Sequence, residues 1–330
     1  MGLLLSYQSP TVDPADGSAY PFFGVFYPLF LLGNLVMIIS WMLVDYKYLV
    51  FSLLAILFGW NHLTNFVNIS SPRKGEADIR VMSYNLSHNY SVRDSDVKVQ
   101  KKKVKLFGNY LRGLETPDLL FLQECGYFGK SIFSGFFPDY HMVNDKDKAA
   151  VIYSRFPIIS KGAVDFGTKT NSCVYADIKV NKDTIRVYNL HLQSNSISKD
   201  ADAVLEDTDL NKPETWNNIR HILSKYRAAS VRRANQAEMV KSHADKSPYP
   251  TMIVGDFNDP PTSYAYSVLS ERLQDAFHER GSGIGTTYGG SIPMLRIDYI
   301  LADPRFTILE YSCRKEKFSD HYPIFAELAL

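Results

Sequence analysis

Six short stretches of this 330-residue chain end in side chains that can bind a cation, hold a water or grip an anionic oxygen. In chain order they are Ser83-Tyr84-Asn85, Leu122-Gln123-Glu124, Asn189-Leu190-His191, Gly255-Asp256-Phe257-Asn258, Ile297-Asp298-Tyr299 and Ser319-Asp320-His321. Each alone is ordinary, since a Glu closing a strand is usually solvated and an Asp-His pair is usually a structural contact. The recurrence is what points to chemistry: a polar or acidic residue follows an apolar run again and again. Strand ends converge at the rim of a sheet, so these carboxylates, asparagines and histidines can share one cleft. Clustered carboxylates need a counter-charge, and a hard divalent cation held by oxygen ligands supplies it. Such a set suits phosphate-ester hydrolysis, which needs an in-line water and neutralisation of charge on the non-bridging oxygens.

The elements that would position these residues are short β-like runs alternating with helical stretches. Ile79–Asn85 and Leu119–Leu122 read as buried strands with a helix over Lys98–Leu111 between them. Further strands are expected over Ala149–Tyr153, Cys173–Val180, Thr184–Leu190, Thr251–Val254, Arg296–Leu301, Phe306–Tyr311 and Ile324–Leu328. Trp216–His243 reads as a long, charged amphipathic helix, and Ser194–Glu214 as an irregular surface excursion beside the site. Many strands with few helices imply two packed sheets flanked by helices. No internal repeat is visible.

The N-terminal 71 residues differ from the rest. They hold one basic residue, Lys47, and three acids, Asp13, Asp16 and Asp45. Phe22–Val44 is an uncharged run longer than the ~20 residues needed to cross a bilayer core. A second run, about 48–67, follows the polar turn Asp45-Tyr46-Lys47 and ends in the interfacial-looking Trp60-Asn61-His62. The expectation is a transmembrane helical hairpin in residues 1–71, a linker over 72–77 and a catalytic domain over 78–330. Lys47 in the turn favours a cytoplasmic turn and a catalytic domain outside the cytoplasm, while Arg73 and Lys74 pull the other way. With a net charge of +1, the chain lacks the strongly basic surface of a dedicated nucleic-acid binder. Three scattered cysteines (Cys125, Cys173 and Cys313) form neither a disulfide framework nor a zinc motif.

Taken in order, Ser-Tyr-Asn, Leu-Gln-Glu, Asn-Leu-His, Gly-Asp-Phe-Asn, Ile-Asp-Tyr and Ser-Asp-His resemble the motif set of the endonuclease/exonuclease/phosphatase family, specifically its membrane-anchored bacterial type. That family includes exonuclease III-like enzymes, neutral sphingomyelinases and inositol polyphosphate 5-phosphatases. The resemblance covers about residues 78–330. It implies an α/β (α+β) four-layer sandwich of two packed mixed β-sheets flanked by helices. It also implies roles. Glu124 would be the principal ligand of Mg²⁺ or Mn²⁺, with Asn85 beside it in the metal and phosphate shell, where it would also bind substrate, and Asp320 in or next to the metal site. Asp256 would orient and deprotonate the attacking water, and Asn258 would hold that water or a phosphate oxygen. His191 would donate to a phosphate oxygen. His321 would bind the phosphoryl group, its other ring nitrogen fixed by Asp298. Cys125, next to Glu124, would point to the opposite face of a strand.

Substrate identity is written less clearly. Arg155, and the basic residues Arg227, Arg232 and Arg233 on the long helix, are candidates to meet phosphates, although a solvated helix face is the ordinary role for the latter. The aromatic run Tyr127, Phe128, Phe133, Phe136 and Phe137 fits either a lipid-facing or base-stacking loop or a buried one. Membrane attachment favours a phospholipid or sphingolipid headgroup as the phosphodiester. A membrane-tethered nuclease is the competing enzyme reading, to be told apart by a Lys/Arg groove and salt-sensitive binding. A non-catalytic binding protein on the same fold is disfavoured because Glu124, Asp256, Asn258 and His321 are all present. No protein partner is implied.

Overall fold

The structure, a computed structural model, describes all residues except 17–18, 90–91, 115, 146–148, 169, 196–211, 291–293 and 317. Most of the expected surface excursion over Ser194–Glu214 therefore lies outside the described residues.

Two six-stranded mixed sheets pack face to face. The first runs β13-β14-β2-β3-β5-β4, that is Thr307–Cys313, Ile324–Ala329, Ile79–Asn85, Leu119–Gln123, Val151–Ser154 and His141–Asn144. The second runs β10-β12-β9-β8-β7-β6, that is Gln274–Asp275, Asp298–Ala302, Thr251–Asp256, Asp183–His191, Ser172–Val180 and Ile158–Val164. Each sheet has one parallel pair at its centre, β2/β3 and β8/β9, flanked by antiparallel neighbours. Side chains of alternate parity build the layers. Val81, Phe121, Val187, Val254 and Ile300 meet between the sheets. Met82, Tyr84, Leu120 and Leu122 face outward onto helices Val97–Gly113 and Gly126–Phe136. Tyr188, Leu190, Ile253 and Leu301 face outward onto helices Pro213–Ala244 and Tyr264–Ser270. This is the expected four-layer arrangement.

The aromatic run after Glu124 is a helix, not a loop. Gly126, Gly129 and Gly135 dilute its helical signal, yet Gly129, Ile132 and Phe133 are buried at helical spacing. Strands β4 and β6, absent from the sequence reading, are mostly exposed edge strands without an apolar alternation to betray them.

The N-terminal helices are numbered α1 (Gly2–Ser6), α2 (Tyr20–Val25), α3 (Tyr27–Val44), α4 (Leu49–Phe58) and α5 (Trp60–Thr64). At 18 residues, α3 is long and apolar enough to cross a membrane, and Leu29, Ile39 and Met42 on it are each more than half exposed. The second apolar run, expected as a span over 48–67, divides instead. Its first helix, α4, has ten residues, about 15 Å of rise, half of what a bilayer core requires. It ends at Gly59, where a Cβ would collide with the Tyr7 ring. The chain then turns through α5, where His62 stacks on Tyr7 at 4.9 Å. Strand β1 (Val67–Ile69) finally pairs with β11 (Ser282–Ile284) of the two-sheet body. The same body receives Gly24, whose carbonyl accepts from Thr262 Oγ1 at 2.8 Å, and Phe22, whose ring lies 5.9 Å from that of Tyr226. Met1–Leu5 belongs to this packing too, with Leu3 and Tyr7 buried beside Tyr27 and Phe66.

Candidate active site

Where the strands reach one end of the sandwich, the face between the sheets changes from apolar to polar without changing parity. Along β2, Val81 is followed inward by Ser83 and Asn85; along β3, Phe121 is followed by Gln123. Along β8, Val187 gives way to Asn189 and His191; β9 goes from Val254 to Asp256, and β12 from Ile300 back to Asp298. Register completes the cluster: Asp256 lies opposite His191 on one side and Asp298 on the other, and Asn85 lies opposite Gln123. Gly255 allows the close approach of β8 and β9. Its φ of +137° and the Leu190 carbonyl where a Cβ would sit exclude any side chain.

Glu124 has the opposite parity and reaches the rim by another route. Its φ of +50° is left-handed, a conformation that costs a non-glycine residue about 1–3 kcal/mol, and it swings the chain off β3 into the following helix. Cys125 is accordingly not on a strand. It sits at the start of that helix, fully buried, and burial pushes its thiol up to about 12, which removes it as a nucleophile at neutral pH. Asn258 is also left-handed, with φ of +53°, a conformation asparagine tolerates better than most residues.

Asp256, 1 % exposed, is held by three donors. Asn85 Nδ2 donates at 2.8 Å, Asn258 N at 2.8 Å and Asn258 Nδ2 at 3.2 Å. His321 bonds Asp298 through Nδ1 at 3.0 Å, which fixes the tautomer and leaves Nε2 toward Asp256 Oδ2 at 3.8 Å. Burial pulls the His321 imidazole down, but the carboxylates of Asp298 and Asp256 outweigh it and push it up to about 10. The neighbouring carboxylates thus favour the imidazolium form of His321. Burial raises Asp298 above the usual carboxylate range against the opposing pull of His321. Glu124 is less enclosed: His88 Nε2 lies 3.2 Å from Oε2, Asn85 Nδ2 3.5 Å from Oε1, and a fifth of the side chain is exposed. His191 is buried, and among the described residues its Nε2 has no hydrogen-bond partner. It lies 3.6 Å from both Glu124 Oε1 and Asp256 Oδ2. Asp320 is exposed, receives Ser319 Oγ at 3.3 Å, and lines the same cavity as Glu124, Asn258 and His321.

One cluster could compete as a cation site: ligand-type atoms of Asp256, Asp298 and His321 lie within 4.8 Å of one another. Its histidine is already engaged by Asp298 and strongly favours its proton, so a cation there would have to displace that proton. The under-coordinated carboxylate of Glu124, with the amide of Asn85 beside it, fits a hard cation better.

The structure thus brings together Asn85, Glu124, His191, Asp256, Asn258, Asp298, Asp320 and His321. Arg155, expected to meet phosphates, is not among them. Ser154 pairs with Leu119 at the start of β3, and Arg155 binds Asp118 there at 3.4 Å, whereas Glu124 leaves the other end of that strand. At roughly 3.3 Å per residue the two ends are more than about 13 Å apart. Arg233 is also not a surface cation. It is fully buried, pairs with Asp259 at 2.9 Å and donates to the Gln193 carbonyl and Asn195 Oδ1, bracing the loop that carries Asn258. Arg227 and Arg232 remain on the exposed helix face.

Four contributors escaped the sequence reading. His88 had no signal beyond lying three residues after Asn85. Gln123 and Asn189 sit inside the quoted motifs at inward parity, a signal that was available. Gln123 Nε2 donates to Asn189 Oδ1 at 2.7 Å, and Asn189 Nδ2 donates to the carbonyls of Leu122 and Val151, lacing the two sheets together below the site. Thr287 Oγ1 accepts from the backbone of Ile297 and Asp298 and sets the start of β12.

Comparison with known proteins agrees with this geometry. Residues 82–321 match the model of the Endonuclease/Exonuclease/phosphatase family, and the chain belongs to that family, whose members are hydrolases of phosphoester bonds. Residues 1–66 match a separate domain of unknown function, DUF8431. No curated protein matches the chain. Among solved structures, an endonuclease/exonuclease/phosphatase from Bacteroides vulgatus superposes with a TM-score of 0.58 at 15% identity, covering 76% of this chain and 98% of that one. A humanized D. rerio TDP2 gives 0.56 at 17% identity, covering 76% and 99%. The mannosyl-6-phosphatase of Bacteroides thetaiotaomicron gives 0.52 at 19% identity, covering 76% and 100%. At these identities the likeness is one of fold.

Proposed function

We propose that the chain is a Mg²⁺- or Mn²⁺-dependent phosphoesterase, held at a membrane by α3, that hydrolyses a phosphodiester by direct attack of water. The observation that carries this reading is His191 Nε2, buried, without a hydrogen-bond partner among the described residues, and equidistant from the carboxylates of Glu124 and Asp256. A buried ring nitrogen left unsatisfied costs about 1–3 kcal/mol unless something enters to meet it, and a phosphoryl oxygen would meet it once a cation at Glu124 offsets the charge of the neighbouring carboxylates.

In this scheme Glu124, with Asn85 and Asp320, would hold the cation. When bound, the cation neutralises charge on the phosphate and adds electrophilic pull. Asp256, fixed by Asn85 and Asn258, orients a water and takes its proton. Asn258 and His191 donate to oxygens of the phosphate. The His321 imidazolium, kept charged by Asp298, stabilises the negative charge that builds in the transition state. The test is release of nitrophenol from bis-p-nitrophenyl phosphate by the full chain, with Mg²⁺, Mn²⁺ or EDTA. Release that EDTA abolishes and Mn²⁺ restores is expected. Release indifferent to EDTA would remove the cation from the mechanism, and no release in any condition would remove phosphodiester hydrolysis.

A further inference from the structure

A cavity of about 1000 Å³ opens directly on the catalytic residues Glu124, Asn258, Asp320 and His321 and runs from them between the N-terminal helices and the catalytic body. That is at the upper end of the roughly 300–1,000 Å³ usual for small-molecule sites. One wall is Leu29, Leu32 and Leu35, spaced three apart on α3; the other is Ile219, Ile222 and Leu223 on the helix Pro213–Ala244. Its charged lining, Glu124, Asp320 and His321, belongs to the site described above, and among the described lining residues none is Lys or Arg. A nucleic-acid strand needs cations along its track; this groove offers hydrocarbon. Its α3 wall also continues into the exposed apolar surface of that helix, where Leu29 and Leu32 are 61% and 57% exposed.

We propose, resting on the phosphoesterase reading above, that the substrate is a phospholipid-type phosphodiester whose hydrocarbon chain lies in this cavity, with its phosphate at Glu124, His191 and His321. One end of the cavity matches a charged phosphate and the other an alkyl chain, and the α3 wall gives the chain an apolar path in from a bilayer. The N-terminal segment then has a second task besides attachment, as half of the substrate site.

The test uses the full chain in amphipol, which leaves no free detergent monomers to compete, and a series of n-alkyl p-nitrophenyl phosphates from methyl to octyl, each kept monomeric. The value of kcat/KM should rise with chain length, approaching four-fold per buried methylene, the equivalent of about 0.8 kcal/mol. Filling the cavity with Leu223→Trp should flatten that rise. Leu32→Trp, at a half-exposed position where folding is not at stake, should flatten it as well. A flat series in the unsubstituted protein, or a rise that both tryptophans leave intact, overturns the proposal while the phosphoesterase reading stands. Absence of EDTA-sensitive hydrolysis of even the methyl ester overturns both. Faster cleavage of a single-stranded oligonucleotide than of the octyl ester assigns the site to nucleic acid and overturns the lipid reading.

Discussion

The two sheets equip the site differently. The β8–β9–β12 side supplies Asp256 and Asp298, both almost fully buried, the first held by donors from Asn85 and Asn258 and the second bonded by His321. The β2–β3 side supplies Glu124, partly exposed, left-handed and bonded chiefly to His88. A carboxylate bound by several protein donors has a fixed direction and suits work on a proton. A carboxylate with spare lone pairs suits a cation. Their contrast divides the labour before any substrate arrives.

The sharpest break in that contrast is Asp256→Asn. It keeps the shape but removes the base, and should lower kcat by about 10³- to 10⁴-fold with the melting temperature little changed. His321→Ala, which removes the charged donor from the same side, should cost about 10²- to 10³-fold in kcat. On the other side, Glu124→Gln should act through the cation. The Mg²⁺ midpoint of activity should rise by about 10- to 100-fold, with much of kcat recovered at saturation; an unmoved midpoint would place the cation elsewhere. Between the sheets, Asn189→Ala removes the acceptor nearest Gln123, at 2.7 Å, and the side-chain donor to the carbonyls of Leu122 and Val151. A stability loss of about 2–4 kcal/mol in denaturant unfolding is expected, and less than 1 would mean the lacing is dispensable. Arg155→Ala, at the far end of β3, should leave kcat/KM within about two-fold; a larger drop would restore it to the substrate path.

The central strands and the polar residues gathered at their ends were legible for one shared reason. Buried parallel and near-parallel strands such as Ile79–Asn85 and Thr251–Asp256 leave dense apolar runs, and the chemistry begins where the run stops. What was hidden depends on distant partners. The period-two rule sends Glu124 away from the site, and only the reversal of φ brings it back. Arg155 looked like a phosphate contact because a strand's two ends are indistinguishable until its pairing is known. Arg233 looked solvated because Asp259, its buried counter-ion, lies 26 positions along the chain. The break at Gly59 depends on Tyr7, a residue outside the run it interrupts.

The ladder between β1 and β11, together with the Thr262–Gly24 hydrogen bond, changes how the catalytic body would ride on a membrane. An enzyme on a slack leash sweeps out a dome and meets its target in any orientation. A body bolted to its anchoring helix keeps one height and one tilt, so its mouth would stay level with a single layer of molecules. Its search would be a glide in a plane, limited by lateral diffusion of what lies beneath.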